Sequence, residues 1–236
     1  MLTFRKILST IGIGSAKVHT VILQRMIKPG QTLKGEVHLY GGGVEQEIHG
    51  VDVEVIFEYY KDEEDSENHY IEYVLGRAQI QGLDSIKANE EKIFPFEIEI
   101  PLHSPLTNAN QEISLRTSVH IPFAPDPQEI QPISILDRVV ETCFYLFAKN
   151  GYLLAVGSGM SRYQAPGSEN IPFEQSFILH KWVGNEFLEW KFHFSFEEDV
   201  IILKIQDQTP FCFSRTDENE RKKQFQILEQ WIQAAT

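Results

Sequence analysis

The stretch EKIFPFEIEIPLHSP, Glu91–Pro105, decides the fold class. Apolar residues occupy every second position from Phe94 to Ile100, and proline or glutamate fills the positions between them. This period of two predicts a β-strand with one buried face and one solvated face. Pro101 ends the strand because proline has no N–H group to donate to a neighbouring strand. Pro105 marks the loop that follows. A strand bounded by prolines in this way indicates sandwich architecture, and the stretch contains no catalytic motif.

The same alternation recurs through the first half of the chain, and turn residues such as Pro29-Gly30 and Gly41–Gly43 separate the alternating segments. The segments with this pattern are Ala16–Gln24, Leu33–Leu39, Val51–Tyr59, His69–Ile80 and Ile113–Ile121. Repeated short strands separated by glycine, proline and asparagine turns predict an antiparallel β-sandwich.

The second half combines strands with two helices. Apolar residues recur at helical spacing from Ile133 to Phe147, Ser134 is a candidate N-cap, and Asn150-Gly151 supplies a stop. A C-terminal helix begins near Thr216 or Asp217, with an apolar stripe of Phe225, Leu228, Trp231 and Ile232. The segments between the helices with strand character are Tyr152–Val156, Phe173–Lys181, Phe187–Phe196 and Val200–Ile205.

Composition predicts the domain organisation. Four prolines in Pro122–Pro132 indicate a stiff extended linker. We therefore predict an N-terminal sandwich over residues 1–123, a proline-rich linker over 124–132 and a C-terminal β-rich domain over 133–236. The first domain begins with a short amphipathic helix within residues 1–12, where apolar residues recur at positions i, i+3, i+4 and i+7.

The bulk composition excludes several function classes. The 236 residues are 42% hydrophobic and 23% charged, which is typical of a globular chain and not of a disordered one. A formal net charge of −13 argues against binding to nucleic acid and against unaided binding to anionic lipid. Since no apolar run is long enough to span a bilayer, we predict no stable membrane insertion and a cytoplasmic location. Cys143 and Cys212 lie among apolar neighbours and are predicted to be buried free thiols.

Motifs for catalysis and nucleotide binding fail on spacing. The segment Gly157–Ser161 does not have the Gly-x-Ser-x-Gly spacing of a nucleophile elbow, so we interpret it as a turn. Gly12-Ile13-Gly14 begins like a dinucleotide fingerprint, but Lys17 occupies the place of the third glycine and no strand precedes it. A carboxylate pair that meets in space would leave no such local pattern, and nothing in the sequence singles one out.

Metal-binding motifs also fail. The eight histidines fall into pairs without metal-ligand spacing: His19/His38, His49/His69, His103/His120 and His180/His193. The acidic segment Asp62–Glu67 lacks the glycine of a calcium-binding loop and is interpreted as a solvated loop. Trp182, Trp190 and Trp231 are candidates to line a sugar site, although their pattern is more typical of a core. We therefore predict no catalytic residues, no cofactor and no metal site.

The order of these short motifs resembles the bacterial sporulation-control protein family of the arrestin-like clan. The resemblance to the clan rests on Pro29-Gly30, Leu33-x-Gly35-x-Val37, the Phe94–Pro105 pattern and Leu115-x-Thr117-x-Val119-x-Ile121. The resemblance to the family rests on Phe4–Thr20, Gly42–Gln46, the Leu136–Phe147 helix and Asn170–Phe177. It implies two arrestin-like β-sandwich domains without catalytic residues. It also implies a cytoplasmic regulatory role in sporulation or cell-stage control, exerted through protein contacts.

Three functions from different classes follow from this, and in a fourth interpretation the helix Phe4–Ile11 inserts at a membrane surface. The first is a regulatory or scaffold protein that recruits protein partners at a strand edge or a groove, and is itself a monomer or weak homo-oligomer. The alternative is a small-ligand-binding protein that uses the cleft between the two sandwiches. The third is an enzyme. A fold alone does not confer activity, and the sequence lacks the residue patterns that catalysis needs.

Overall fold

The computed structural model describes residues 16–24, 26–62, 69–166 and 170–234. Three sequence predictions lie outside these residues, in whole or in large part: the helix within residues 1–12, the segment Gly12-Ile13-Gly14 and the acidic segment Asp62–Glu67.

Strands dominate the described residues, so the mainly β class is confirmed. In chain order the strands and helices are β1 (Lys17–Ile22), β2 (Thr32–Tyr40), β3 (Gln46–Glu47), β4 (Gly50–Tyr60), β5 (Tyr70–Ile80), β6 (Ser85–Ile86), β7 (Glu91–Glu99), β8 (Ile113–His120), β9 (Gln128–Ile133), α1 (Arg138–Lys149), β10 (Leu153–Leu154), β11 (Ser161–Tyr163), β12 (Phe173–Gln175), β13 (Phe177–Val183), β14 (Glu186–Phe196), β15 (Val200–Ile205), β16 (Phe211–Ser214) and α2 (Glu218–Ala234). No helix among the described residues is both long and apolar enough to cross a membrane.

Two sheets enclose the first hydrophobic core. A three-stranded antiparallel sheet has the order β1-β2-β7, and a six-stranded sheet has the order β12-β11-β4-β8-β9 with β5 paired to β4. The alternation that the sequence predicts is realised in β7, where Phe96 and Ile98 are buried while Glu97 and Glu99 are exposed. Side chains from both sheets meet in one buried cluster.

The predicted linker differs from the structure. Residues 128–132 of the segment 124–132 belong to β9, which pairs with β8 in antiparallel register. Proline is tolerated there because β9 is the last strand of its sheet, so Pro132 has no further neighbour that needs its N–H. Ile133 is consequently a strand residue of the first core, and helix α1 begins five residues later than the apolar spacing predicts, with Asp137 and not Ser134 as N-cap.

A five-stranded sheet and both helices enclose the second hydrophobic core. The strand order is β10-β13-β14-β15-β16, and α1 and α2 contribute the buried residues Val140, Phe147, Leu228 and Ile232. Asp217 caps α2 by accepting hydrogen bonds from the N–H groups of Asn219 and Glu220. The face of the sheet opposite the helices is therefore the one that meets solvent.

One feature of the second half departs from a simple division of the chain into two halves. β11 and β12 follow α1 in sequence, yet they join the six-stranded sheet through the parallel pairing of Arg162 with Tyr60.

Cys212 is exposed although both cysteines are predicted to be buried, because it occupies the outward position of β16 between Phe211 and Phe213. Cys143 is buried as predicted, and its burial raises the pKa of its thiol.

Candidate functional site

An apolar surface lies at one end of the five-stranded sheet. Trp182 of β13 pairs with Phe187 of β14, and Leu153 of β10 pairs with His180 of β13. Directly paired residues project their side chains to the same face of a sheet, and Trp182 and His180, two apart on β13, share that face. Leu153, Trp182 and Phe187 expose 70%, 69% and 46% of their surface. We call these three residues and His180 the Trp182 patch.

The patch is ordered by its own ring contacts. The ring centroids of Trp182 and Phe187 are 5.0 Å apart, and those of His180 and Phe187 are 4.7 Å apart. His180 Nε2 lies 2.9 Å from Glu189 Oε2, which fixes the imidazole beside the rings. Gly184, with a φ of +60°, forms the turn that brings Trp182 and Phe187 together. The local sequence thus presents a preformed aromatic surface.

Amide side chains join the two halves of the chain near Gly159. Gln175 Oε1 accepts from the N–H of Leu106 at 2.7 Å, while its Nε2 donates to the carbonyls of Leu106 and Gly159. Asn108 Nδ2 donates to the carbonyl of Gly159 at 2.8 Å, and Asn110 Nδ2 donates to that of Ser158. These bonds satisfy buried backbone groups that would otherwise be costly, so this junction is closely fastened.

The segment Gly157–Ser161, which lacks the spacing of a nucleophile elbow, forms part of this junction. Ser158 Oγ accepts a hydrogen bond from the N–H of Ile178 at 2.7 Å, so its hydroxyl supports the backbone. Gly159 has a φ of +84°, and a Cβ atom there would lie 2.6 Å from Phe177 Cε1. Glycine is therefore required both by the backbone conformation and by the close approach of a ring.

Two clefts flank the loop that follows Pro101. One, of about 830 Å³, is lined by charged residues that include Lys28, Glu99, Asp137 and Arg215. The Arg215 guanidinium donates to the carbonyl oxygens of Pro29 at 2.6 Å and Glu197 at 2.9 Å, linking the two halves of the chain across this cleft.

The other cleft, of about 790 Å³, is lined by eight apolar residues, four of them phenylalanines, and by nine polar residues, three of them glutamates. We call it the aromatic cleft. Its lining residues are Leu102, His103, Ser104, Pro105, Leu106, Gln164, Ile171, Phe173, Glu174, Gln175, Phe177, His193, Phe194, Ser195, Phe196, Glu197 and Glu198.

A buried carboxylate on the six-stranded sheet anchors a charged cluster. Glu54 is 6% exposed and contacts the guanidinium groups of Arg77 and Arg116, with Arg116 Nη2 at 2.6 Å. Arg116 also bonds Glu72. Burial acts to raise the pKa of Glu54, but the hydrogen bonds from Arg116 and Arg77 outweigh it and hold the pKa below its ordinary value.

His120 lies between two carboxylates on the same sheet. Its Nε2 is 3.0 Å from Asp52 Oδ2, and its Nδ1 is 3.0 Å from Asp126 Oδ2. The hydrogen bond with Asp52 is the largest cause that raises the pKa of His120, and Asp126 adds to it against a smaller opposing effect of burial. Burial acts to raise the pKa of Asp52, but the bonds from His120 and Gln79 lower it below its ordinary value.

One of the histidine pairs considered as metal ligands is brought together by the sheet. His19 and His38 are opposite each other on β1 and β2, with ring centroids 6.4 Å apart. Within the described residues, no group of three or more histidine, cysteine, aspartate or glutamate side chains is arranged to hold a metal ion.

The tryptophans considered for a sugar site are also divided. Trp190 and Trp231 pack together at 4.7 Å against the second core, whereas Trp182 lies on the solvent face. Sequence reasoning missed the Trp182 patch as a surface. The available signal was Trp182 and Phe187 flanking the Gly184 turn in an alternating segment.

Comparisons with known proteins place these features in context. A protein-family model described as SpoOM protein matches residues 4–186. The curated sporulation-control protein spo0M of Bacillus subtilis (strain 168) is 31% identical over 118 residues, which are 50% of this chain and 45% of that protein. The aligned stretch thus spans about half of each protein. The crystal structure of Spo0M, sporulation control protein, from Bacillus subtilis is similar with a TM-score of 0.74 and 23% identity, covering 95% of this chain and 100% of that one. This likeness shows a shared fold.

Proposed function

Because the chain belongs to the SpoOM protein family, we propose that it is a non-enzymatic regulatory protein in the control of sporulation or of a related cell-stage or stress response. In this proposal it acts in the cytoplasm by binding protein partners. The name of the Bacillus subtilis relative supports the regulatory role. The proposed mode of action, binding of protein partners, is supported by the exposed surface of this chain.

The observation that carries the proposal is the Trp182 patch. Trp182 and Leu153 each expose more than two thirds of their surface, beside the half-exposed Phe187. Contiguous exposed apolar side chains of this kind mark interaction sites, whereas single ones are normal. Tryptophan is also enriched among the residues that dominate binding energy at protein interfaces. We therefore place the partner surface at this end of the five-stranded sheet.

Charge favours a protein as the occupant of the patch. A net charge of −13 repels anionic lipid surfaces and nucleic acid at physiological salt. Charges of both signs lie beside the rings. Glu189, which is bonded to His180, is negative, and Lys191, two residues further along β14, is positive. An apolar centre with a mixed polar rim is the usual composition of a protein–protein interface. The occupant proposed here is a partner protein with an apolar contact surface.

We also propose that the chain consists of two domains: an arrestin-like β-sandwich, and a second domain that is not the expected second sandwich, because one sheet and two helices enclose its core. Two separate buried clusters support this arrangement, one around Val53 and Leu115 and one around Phe147 and Phe192. The junction at Gly159 and Gln175 would then fix the domains relative to each other, and the partner surface belongs to the second domain. The predicted state of the free protein is a monomer or weak homo-oligomer.

Affinity capture with surface variants tests the proposed function. The wild-type chain and a Trp182→Ser/Phe187→Ser variant are used to capture proteins from a bacterial extract at physiological salt. Each captured protein is then purified and titrated against both forms. We expect the double variant to weaken binding at least about tenfold, since truncation of an interface hot-spot residue, a class in which tryptophan is enriched, costs about 2 kcal/mol or more.

Tyr145→Ser provides the matched control, because Tyr145 of α1 is also exposed, at 64%, but lies outside the patch. Circular dichroism checks that all three proteins are folded. A partner that binds wild type and the Trp182/Phe187 variant with equal affinity would contradict the assignment of the patch. Sedimentation with neutral vesicles, lost in the same variant, would assign the patch to a lipid surface.

A further inference from the structure

The aromatic cleft has the size and composition of a ligand site. Its volume of about 790 Å³ falls within the usual range of roughly 300–1,000 Å³ for small-molecule sites. It lies where the loop Leu102–Leu106 meets β12 and the end of β14. Clefts between packed units, with apolar walls and a few polar groups, are the usual places for ligands.

Phenylalanine rings form much of the wall. Phe173 and Phe177 are almost fully buried, whereas Phe194 and Phe196 are half-buried and keep part of their surface open. Phe177 and Phe194 pack with centroids 6.2 Å apart at an interplanar angle of 72°. Aromatic rings attract cations through the negative charge of their faces.

The titratable groups in the lining of the aromatic cleft are carboxylates and two histidines, His103 and His193. Glu174, Glu197 and Glu198 line it, and no lysine or arginine does so in the part of the chain that the structure describes. The positive charges of Lys191 and Lys204 contribute to lowering the pKa of the nearby His193, although neither lysine lines the cleft. Burial is the largest cause that lowers the pKa of His193, and the charge of Glu174, whose Oε1 lies 3.8 Å from His193 Nδ1, opposes it. The cleft therefore combines aromatic walls with negative charge.

A buried hydroxyl lies behind the wall of the cleft. Ser104 lines the cleft and is only 3% exposed. Its Oγ atom is buried without a hydrogen-bond partner among the described residues. A buried polar group without a partner is costly, and such groups in folded proteins point to a missing partner.

We propose that the aromatic cleft binds an organic cation, an ammonium or guanidinium group carried on an apolar stem. The phenylalanine rings contact the stem and the cation, and the three glutamates balance its charge. Two sources have this chemistry: a free amine, and a lysine or arginine side chain of a partner protein. The site does not depend on the Trp182 patch, because Phe187 and Phe196 are nine residues apart on β14, a distance of about 30 Å.

Three probes of equal length test the charge preference. They are n-hexylammonium, hexan-1-ol and hexanoate, titrated against the purified chain by calorimetry at neutral pH and low salt. The proposal predicts that n-hexylammonium binds at least about tenfold more tightly than hexan-1-ol, and that hexanoate binds most weakly. Equal binding of the ammonium and the alcohol, or no detectable binding of n-hexylammonium, would overturn the proposal.

Variants localise the binding. Glu174→Gln removes one charge with little change of shape and should weaken n-hexylammonium several-fold while leaving hexan-1-ol unchanged. Glu47→Gln, at an exposed carboxylate outside the cleft, is the matched control and should leave both unchanged. Equal weakening by both variants would show that the effect comes from the overall charge of the chain, and it would overturn the proposed site.

A fourth probe, the methylamide of Nα-acetyl-lysine, distinguishes the sources. Tighter binding of this compound than of n-hexylammonium assigns the cleft to a side chain of a partner protein, and the reverse order assigns it to a free amine. Capture of a partner through the Trp182 patch is measured separately, so failure of cation binding would leave the proposed function standing.

Discussion

The ring centroids of Trp182 and Phe187 lie 5.0 Å apart on the solvent face of the five-stranded sheet, where the β13–β14 hairpin turns. The two helices cover the opposite face and enclose the second core. This arrangement leaves an aromatic pair exposed that the fold does not need for its own stability. The proposed role in partner binding follows from that asymmetry.

Replacement of Gly159 by alanine should destabilise the protein through two separable effects. A φ of +84° strains any residue with a Cβ atom by about 1–2 kcal/mol, and the collision with Phe177 adds about 1–3 kcal/mol. Gly157 has a φ of +76°, and no atom lies within 4 Å of the position that a Cβ would occupy there, so Gly157→Ala measures the backbone effect alone. Urea unfolding of both variants gives the two values, and equal values would refute the close packing at Gly159.

Substitution of Glu54 should change how stability responds to acid. Because the pKa of Glu54 is depressed below its ordinary value of 4.5 in the folded protein, its contribution is present above that pH and is lost as pH falls through the folded pKa. Glu54→Gln should therefore cost about 1–3 kcal/mol at pH 7, and the difference from wild type should shrink below pH 4.5.

The control for Glu54 is Glu97→Gln, which removes an exposed ion pair with Lys34 and should change stability by less than about 1 kcal/mol. Unfolding free energies measured from pH 3 to pH 7 provide the comparison. A difference between wild type and Glu54→Gln that is constant over this range would contradict the depressed pKa.

His120 should produce the opposite dependence on pH. Its pKa is raised above the ordinary value of 6.5, so its contribution is fully present below pH 6.5 and is lost as pH rises through the folded pKa. Wild type should therefore lose stability relative to His120→Gln between pH 6.5 and alkaline pH. Melting temperatures recorded across this range test the prediction, and parallel curves for the two proteins would speak against it.

Removal of the Tyr152 hydroxyl should not destabilise the protein. This hydroxyl is buried without a hydrogen-bond partner among the described residues, and burial raises the pKa of Tyr152 to about 12. The ring stacks on Trp190 at 4.2 Å, a contact that phenylalanine retains. We expect Tyr152→Phe to leave the free energy of unfolding unchanged or raise it by up to about 1 kcal/mol. A loss of more than about 1 kcal/mol in urea unfolding would show that the hydroxyl is bonded.

The strands were predictable because their signal is local. In β7 the alternation of apolar and polar residues matches the burial pattern of the strand. β9 was not predicted because four prolines outweighed a weak alternation, and only the edge position of β9 makes Pro132 acceptable. Cys212 was misplaced for a related reason, since its apolar neighbours occupy the other face of the same strand.

The candidate sites were not predictable because they depend on tertiary structure. Alternation identifies two faces of the five-stranded sheet but does not say which one the helices cover, so Trp182 had no assigned environment. Glu54 and Arg116 are 62 positions apart in sequence and meet only because β4 pairs with β8. The aromatic cleft likewise joins Ser104 to Phe196 across the junction of the two halves.

Photo-crosslinking at position 182 tests the partner surface most directly. The photoreactive residue p-benzoyl-phenylalanine replaces Trp182 in one variant and Tyr145 in another, and both are irradiated in living bacterial cells. The account predicts a discrete adduct with a specific protein at position 182 and none at position 145. Adducts of the same proteins at both positions, or no adduct at position 182, would contradict the proposal that the Trp182 patch binds a partner.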